Sequence, residues 1–131
     1  MFNKKRLLAF AFLWTLIIFV IIAIPGNQIP RVSDWLEAFK PDKIIHVFLF
    51  APFAYLWARY FYLAKTSTVL IILLTLGMGI SYAIFTEVMQ YYFFIGRNGS
   101  IADALSDIIG IIIGMTFYKN GWKRYNGRNL K

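Results

Sequence analysis

The chain has 131 residues, 60% hydrophobic and 19% aromatic, and its 14 basic side chains against 6 acidic ones give a net charge of +8. It has no cysteine, which excludes disulfide frameworks, thiolate metal sites and cysteine nucleophiles. So apolar a chain reads as one compact membrane domain, residues 1–131, whose connecting loops of about 20, 5 and 10 residues leave no room for a second globular unit.

Four apolar segments of 18 to 23 residues lie at 7–24, 44–62, 68–90 and 101–118. Each matches the roughly 20 helical residues that cross a hydrocarbon core about 30 Å thick. The predicted fold class is therefore all-α, an integral membrane four-helix bundle. The first segment follows Lys4-Lys5-Arg6, as a signal peptide would. It exceeds the usual length of about 7–15 residues for a signal h-region and ends in Ala23-Ile24-Pro25-Gly26 without a small-residue cleavage site, so it is read as a retained span. The loop that follows contains Pro25, Pro30 and Pro41. Between them Val32, Trp35, Leu36 and Phe39 recur at helical spacing, opposite Asp34, Glu37 and Lys40. That pattern predicts a short amphipathic helix lying at the interface, either a lid over a binding site or a plain connector.

The second segment ends in Trp57-Ala58-Arg59-Tyr60-Phe61-Tyr62, an aromatic and basic interface signal, and carries Pro52, which predicts a kink near Phe48. The third contains Gly77 and Gly79 and ends in the aromatic run Tyr91-Tyr92-Phe93-Phe94. Gly96-Arg97-Asn98-Gly99 predicts a turn. The fourth carries Gly110-x-x-x-Gly114, a close-approach motif that fits helix packing within the chain or a homo-oligomer. After Tyr118 the tail is polar and basic and is expected to be frayed.

Charge orients the bundle. With the N-terminus inside, the inner side collects Lys4, Lys5, Arg6, Arg59, Lys65, Lys119, Lys123, Arg124, Arg128 and Lys131. The outer side receives Arg31, Lys40, Lys43 and Arg97 together with all the acids: Asp34, Glu37, Asp42, Glu87, Asp103 and Asp107. The positive-inside rule then predicts that both termini are cytoplasmic. Because the bases flank span ends, they read as topology determinants and lipid contacts, and nucleic acid is not an expected partner.

Asp42 and His46 share one helix face at i, i+4, as do Asp103 and Asp107, while Glu87 and Gln90 are i, i+3. Each pair lies near the outer end of its span, so a small bundle can gather them with Lys43 and Arg97 into one polar pocket. Plainer readings exist for several of them. Asp42 fits a helix N-cap, Ser100-Ile101-Ala102-Asp103 fits a capping box, Lys43 a snorkelling side chain and Arg97 a headgroup contact. Glu87 and Asp107 resist such readings, because intramembrane carboxylates require a cation, a shared proton or a basic partner.

The elements Asp42-Lys43-x-x-His46, Glu87-x-x-Gln90, Gly96-Arg97, Ser100-x-x-Asp103 and Gly110-x-x-x-Gly114, in this order and on these spans, resemble the VanZ-like membrane protein family over nearly the whole chain. The resemblance marks Asp42, Lys43, His46, Glu87, Gln90, Arg97 and Asp103 as signature residues. Asp107 departs from it, standing where the family usually has asparagine. The founding member is associated with low-level teicoplanin resistance. The resemblance thus implies the bacterial cytoplasmic membrane, the cell envelope and glycopeptide resistance as the setting.

Three function classes compete. The preferred one is a binding module at the outer leaflet. There Asp42, Lys43, His46, Glu87, Gln90, Arg97, Asp103 and Asp107 would engage an amphiphile such as a lipid-linked cell-wall precursor or a lipoglycopeptide. The alternative is a metal-assisted hydrolase of a lipid substrate, with Glu87, Asp103, Asp107 and His46 around a divalent cation. No H-E-x-x-H or G-x-S-x-G pattern supports it, so the sequence assigns no catalytic residue, metal ligand or cofactor. A purely structural polar network is also open. A monomeric transporter is not expected, because the inner halves of the spans are apolar.

Overall fold

A computed structural model describes residues 3–25, 28, 41–94, 96 and 100–129, with side chains through Lys119. Among these residues the fold is four α-helices without a strand: α1 (Lys4–Ile22), α2 (Pro41–Leu63), α3 (Thr68–Phe93) and α4 (Ile101–Asn129). All four are long and apolar enough to cross a membrane, α4 through its Ile101–Lys119 part. Between 22% and 39% of each apolar stretch is buried, so most of its side chains face outward, as spans in lipid do. The interfacial helix expected over 32–39 lies outside the described residues.

Local chemistry sets the helix ends. Asn3 caps α1, its side chain accepting the Arg6 N–H at 3.0 Å. Pro41 occupies the first position of α2, where a missing N–H costs nothing, and α2 continues as one helix through Pro52. At the tight α2–α3 turn Lys65 adopts a positive φ of 61°, and Ser67 caps α3. The tail differs from expectation: α4 runs on to Asn129 rather than fraying after Tyr118. No proline interrupts that stretch.

The helices run alternately up and down, with α2 central. A core of Ala11, Ile18, Phe50, Phe53, Trp57, Ala83 and Ile111 draws on all four. Phe53 stacks on Tyr82 with ring centroids 5.5 Å apart. One network ties α1 in: Tyr82 donates to the Thr15 carbonyl at 2.7 Å, Trp57 to Thr15 Oγ1 at 3.3 Å, and Trp14 to the Leu49 carbonyl at 2.8 Å. These bonds are costly to lose where no water replaces them.

The α2–α4 seam is the tightest. A Cβ on Gly110 would lie 2.6 Å from the Val47 carbonyl oxygen, and one on Gly114 would collide with the Ala51 carbonyl. The close approach encoded by Gly110-x-x-x-Gly114 is thus spent on α2 of the same chain. This parallel pair brings the N-terminal ends of α2 and α4 together, beside the C-terminal end of α3.

Candidate functional site

That end carries a buried polar cluster inside otherwise apolar packing. His46, Glu87, Gln90, Asp103, Ser106 and Asp107 are all buried there, Asp107 with 0% exposure. Helical spacing explains why single residues reach it: Glu87 and Gln90 lie on the face of α3 that also buries Ala83 and Thr86, and Asp103 and Asp107 on the inner stripe of α4.

Two polar side-chain contacts cross between α2 and α4. Lys43 Nζ donates to Asp103 Oδ1 at 2.6 Å, at the rim, where the lysine side chain is 31% exposed. Deeper in, His46 Nδ1 lies 2.9 Å from Asp107 Oδ1. Helix α3 adds Glu87, whose Oε1 is 3.9 Å from His46 Nδ1 and whose Oε2 accepts the Ser100 backbone N–H at 2.6 Å. His46, Glu87 and Asp107 therefore meet from three different helices.

Several plainer readings of single residues give way. A capping box would have Asp103 reach back to the Ser100 amide, but Glu87 of α3 takes that amide and Asp103 turns to Lys43. Glu87 thereby places a carboxylate at the positive end of the α4 dipole. Lys43 is ion-paired rather than simply snorkelling. Asp42 lies within the first turn of α2 instead of preceding the helix as its cap. It groups with His46 and Asp103, one possible ligand atom from each lying within 4.8 Å of the others. Arg97 lies outside the described residues.

Glu87 and Ser100 also line a shallow groove of about 300 Å³ between α3 and α4, together with Ile84, Val88, Tyr91, Tyr92, Ile101 and Ala104. The Ser100 backbone and this groove are the parts that side-chain pattern could not reveal, since neither leaves a signature in residue type. A larger cleft of about 640 Å³ between α1 and α2 lies toward the opposite end and is mainly apolar, with Arg59 at its rim. It holds no residue of the polar cluster.

The family model described as VanZ/LLP1 matches residues 2–123, almost the full length of the chain. No curated protein and no solved structure matches it.

Proposed function

The chain belongs to the VanZ/LLP1 family, and from that premise we propose that it is a single-domain, multi-pass protein of the bacterial cytoplasmic membrane that binds an amphiphilic envelope ligand at the polar end of its bundle. The ligand class is a lipid-linked cell-wall precursor or a lipoglycopeptide. By the charge asymmetry of the sequence this end faces outward and both termini face the cytoplasm.

Glu87 carries the reading. It belongs to the buried polar cluster and also lines the groove whose remaining walls are largely apolar and aromatic. An acyl or prenyl chain can lie along Ile84, Val88 and Ile101 while its head meets Glu87. Arg97, three residues before Ser100 in sequence, would supply a bidentate donor for a phosphate or carboxylate. Asp42, Lys43, His46, Gln90, Asp103 and Asp107 then form the polar floor. On this reading the protein binds rather than turns over its ligand, and a link to glycopeptide resistance would arise from holding teicoplanin or its lipid-linked target.

The test is equilibrium binding of labelled teicoplanin, and separately of a lipid-linked precursor, to the protein in nanodiscs. Wild type should saturate with at least one of the two. Ala104→Phe fills the groove from its wall and should weaken binding about tenfold, or about 1.4 kcal/mol. Arg97→Ala should weaken it with unchanged protein abundance. Failure of both ligands to saturate, or wild-type affinity in both variants, would contradict the proposal.

A further inference from the structure

The hydrogen bonds of the polar cluster do not exhaust its acceptors. Glu87 Oε1 and Asp107 Oδ2 are buried without a hydrogen-bond partner. Glu87 is 9% exposed and Asp107 is 0% exposed, so water outside the bundle does not solvate these oxygens. A buried acceptor left unmade costs on the order of 1–3 kcal/mol, and more when charged. Two in one cluster call for a ligand. His46 completes the set: one ligand atom from each of His46, Glu87 and Asp107 lies within 4.8 Å of the others.

We propose that His46, Glu87 and Asp107 bind a divalent first-row metal ion of the Zn²⁺ or Mn²⁺ type. Donor chemistry favours it, since one imidazole with two carboxylates is a ligand set such ions take readily. Distance favours it as well. Around an ion with bonds of about 2.1 Å, neighbouring donors sit about 3.0 Å apart at right angles and about 3.4 Å apart in a tetrahedron. The observed separations from His46 Nδ1, 2.9 Å to Asp107 Oδ1 and 3.9 Å to Glu87 Oε1, bracket those values. Small side-chain adjustments would seat the ion where the His46–Asp107 hydrogen bond now runs.

Charge balance points the same way. Two carboxylates cancel the ion's charge and a neutral imidazole adds none, which leaves no net charge to hold in apolar surroundings. The adjacent Lys43–Asp103 pair is neutral on its own and brings no third uncompensated carboxylate. The Ser100 N–H that holds Glu87 Oε2 turns Oε1 toward the imidazole, the orienting task an outer hydrogen bond performs at metal sites. Three protein donors leave a coordination position for water or a ligand atom. The site shares Glu87 and the Ser100 N–H with the groove, but metal uptake is read without any amphiphile, so failure of one reading is distinguishable from failure of the other.

The experiment uses the full chain in nanodiscs, stripped with a chelator and titrated with Co²⁺ as a spectroscopic stand-in and with Zn²⁺ by elemental analysis. Wild type should take up one equivalent saturably and show visible d–d absorption with Co²⁺. Glu87→Gln and Asp107→Asn should each weaken binding at least about 100-fold, beyond the 10–100-fold typical of losing an outer hydrogen bond. His46→Cys should add a near-ultraviolet thiolate-to-Co²⁺ band, which can arise only from position 46 because the chain has no other cysteine. Absence of saturable uptake by wild type, a measurement that needs no variant to fold, would overturn the site. So would wild-type affinity in both carboxylate variants, or a His46→Cys protein that binds Co²⁺ without the thiolate band.

Discussion

Among the described acids, Asp107 and Glu87 each leave a buried carboxylate oxygen without a hydrogen-bond partner. Asp42 is exposed and Lys43 partly so, whereas Asp107 is sealed between α2 and α4. Replacing it with alanine strands the His46 ring and opens a void. The expected loss is about 1–3 kcal/mol, the cost of leaving the buried imidazole without its hydrogen-bond partner. Asp107→Asn keeps a hydrogen-bond acceptor for His46 and should cost about 1 kcal/mol. Thermal unfolding in detergent, compared across the two variants, checks the order; equal losses would show that the His46 contact carries no stability. The identities of these residues were legible in the sequence, since helical spacing alone put each pair on one face. Their partners were not. Asp103 has a local candidate in Ser100 and a distant one in Lys43, 60 positions away, and only packing decides between them.

The glycines show the same limit at the scale of an element. Gly110, Gly114 and Gly77 look alike in sequence, yet a Cβ at the first two would strike the α2 backbone, while at Gly77 it meets nothing within 4 Å. Gly110→Ala and Gly114→Ala should therefore destabilise by about 2 kcal/mol or more, through overpacking against atoms that cannot rotate away. Gly77→Ala should instead gain about 0.5–1 kcal/mol from helix propensity. The readout is again thermal unfolding, and a uniform effect at all three positions would contradict the α2–α4 seam. Helix existence was readable because four long apolar runs allow little else in a membrane. Helix ends were less so: α4 continues past Tyr118 to Asn129, a stretch without proline.

For the molecule as a whole, the alternating order of four spans makes orientation a single binary property. The chain has no cysteine, so single replacements report it cleanly. With the polar end outward, a membrane-impermeant maleimide should label Gln28→Cys in intact cells and leave Thr66→Cys unlabelled until the membrane is opened; the reverse pattern would invert the bundle. Span number and the clustering of polar residues at one end followed from the sequence, because hydropathy and charge are additive along a chain. The groove beside Glu87 did not, since it depends on how α3 and α4 pack against each other.

The most direct test of amphiphile binding at this end is photo-cross-linking in growing cells. A cross-linking amino acid would be placed at Val88, in the groove, and separately at Leu73, exposed in the other half of α3. The account predicts a polyprenyl- or glycan-bearing lipid, or added teicoplanin, attached at Val88 and absent at Leu73. The same bulk phospholipids at both positions would contradict it.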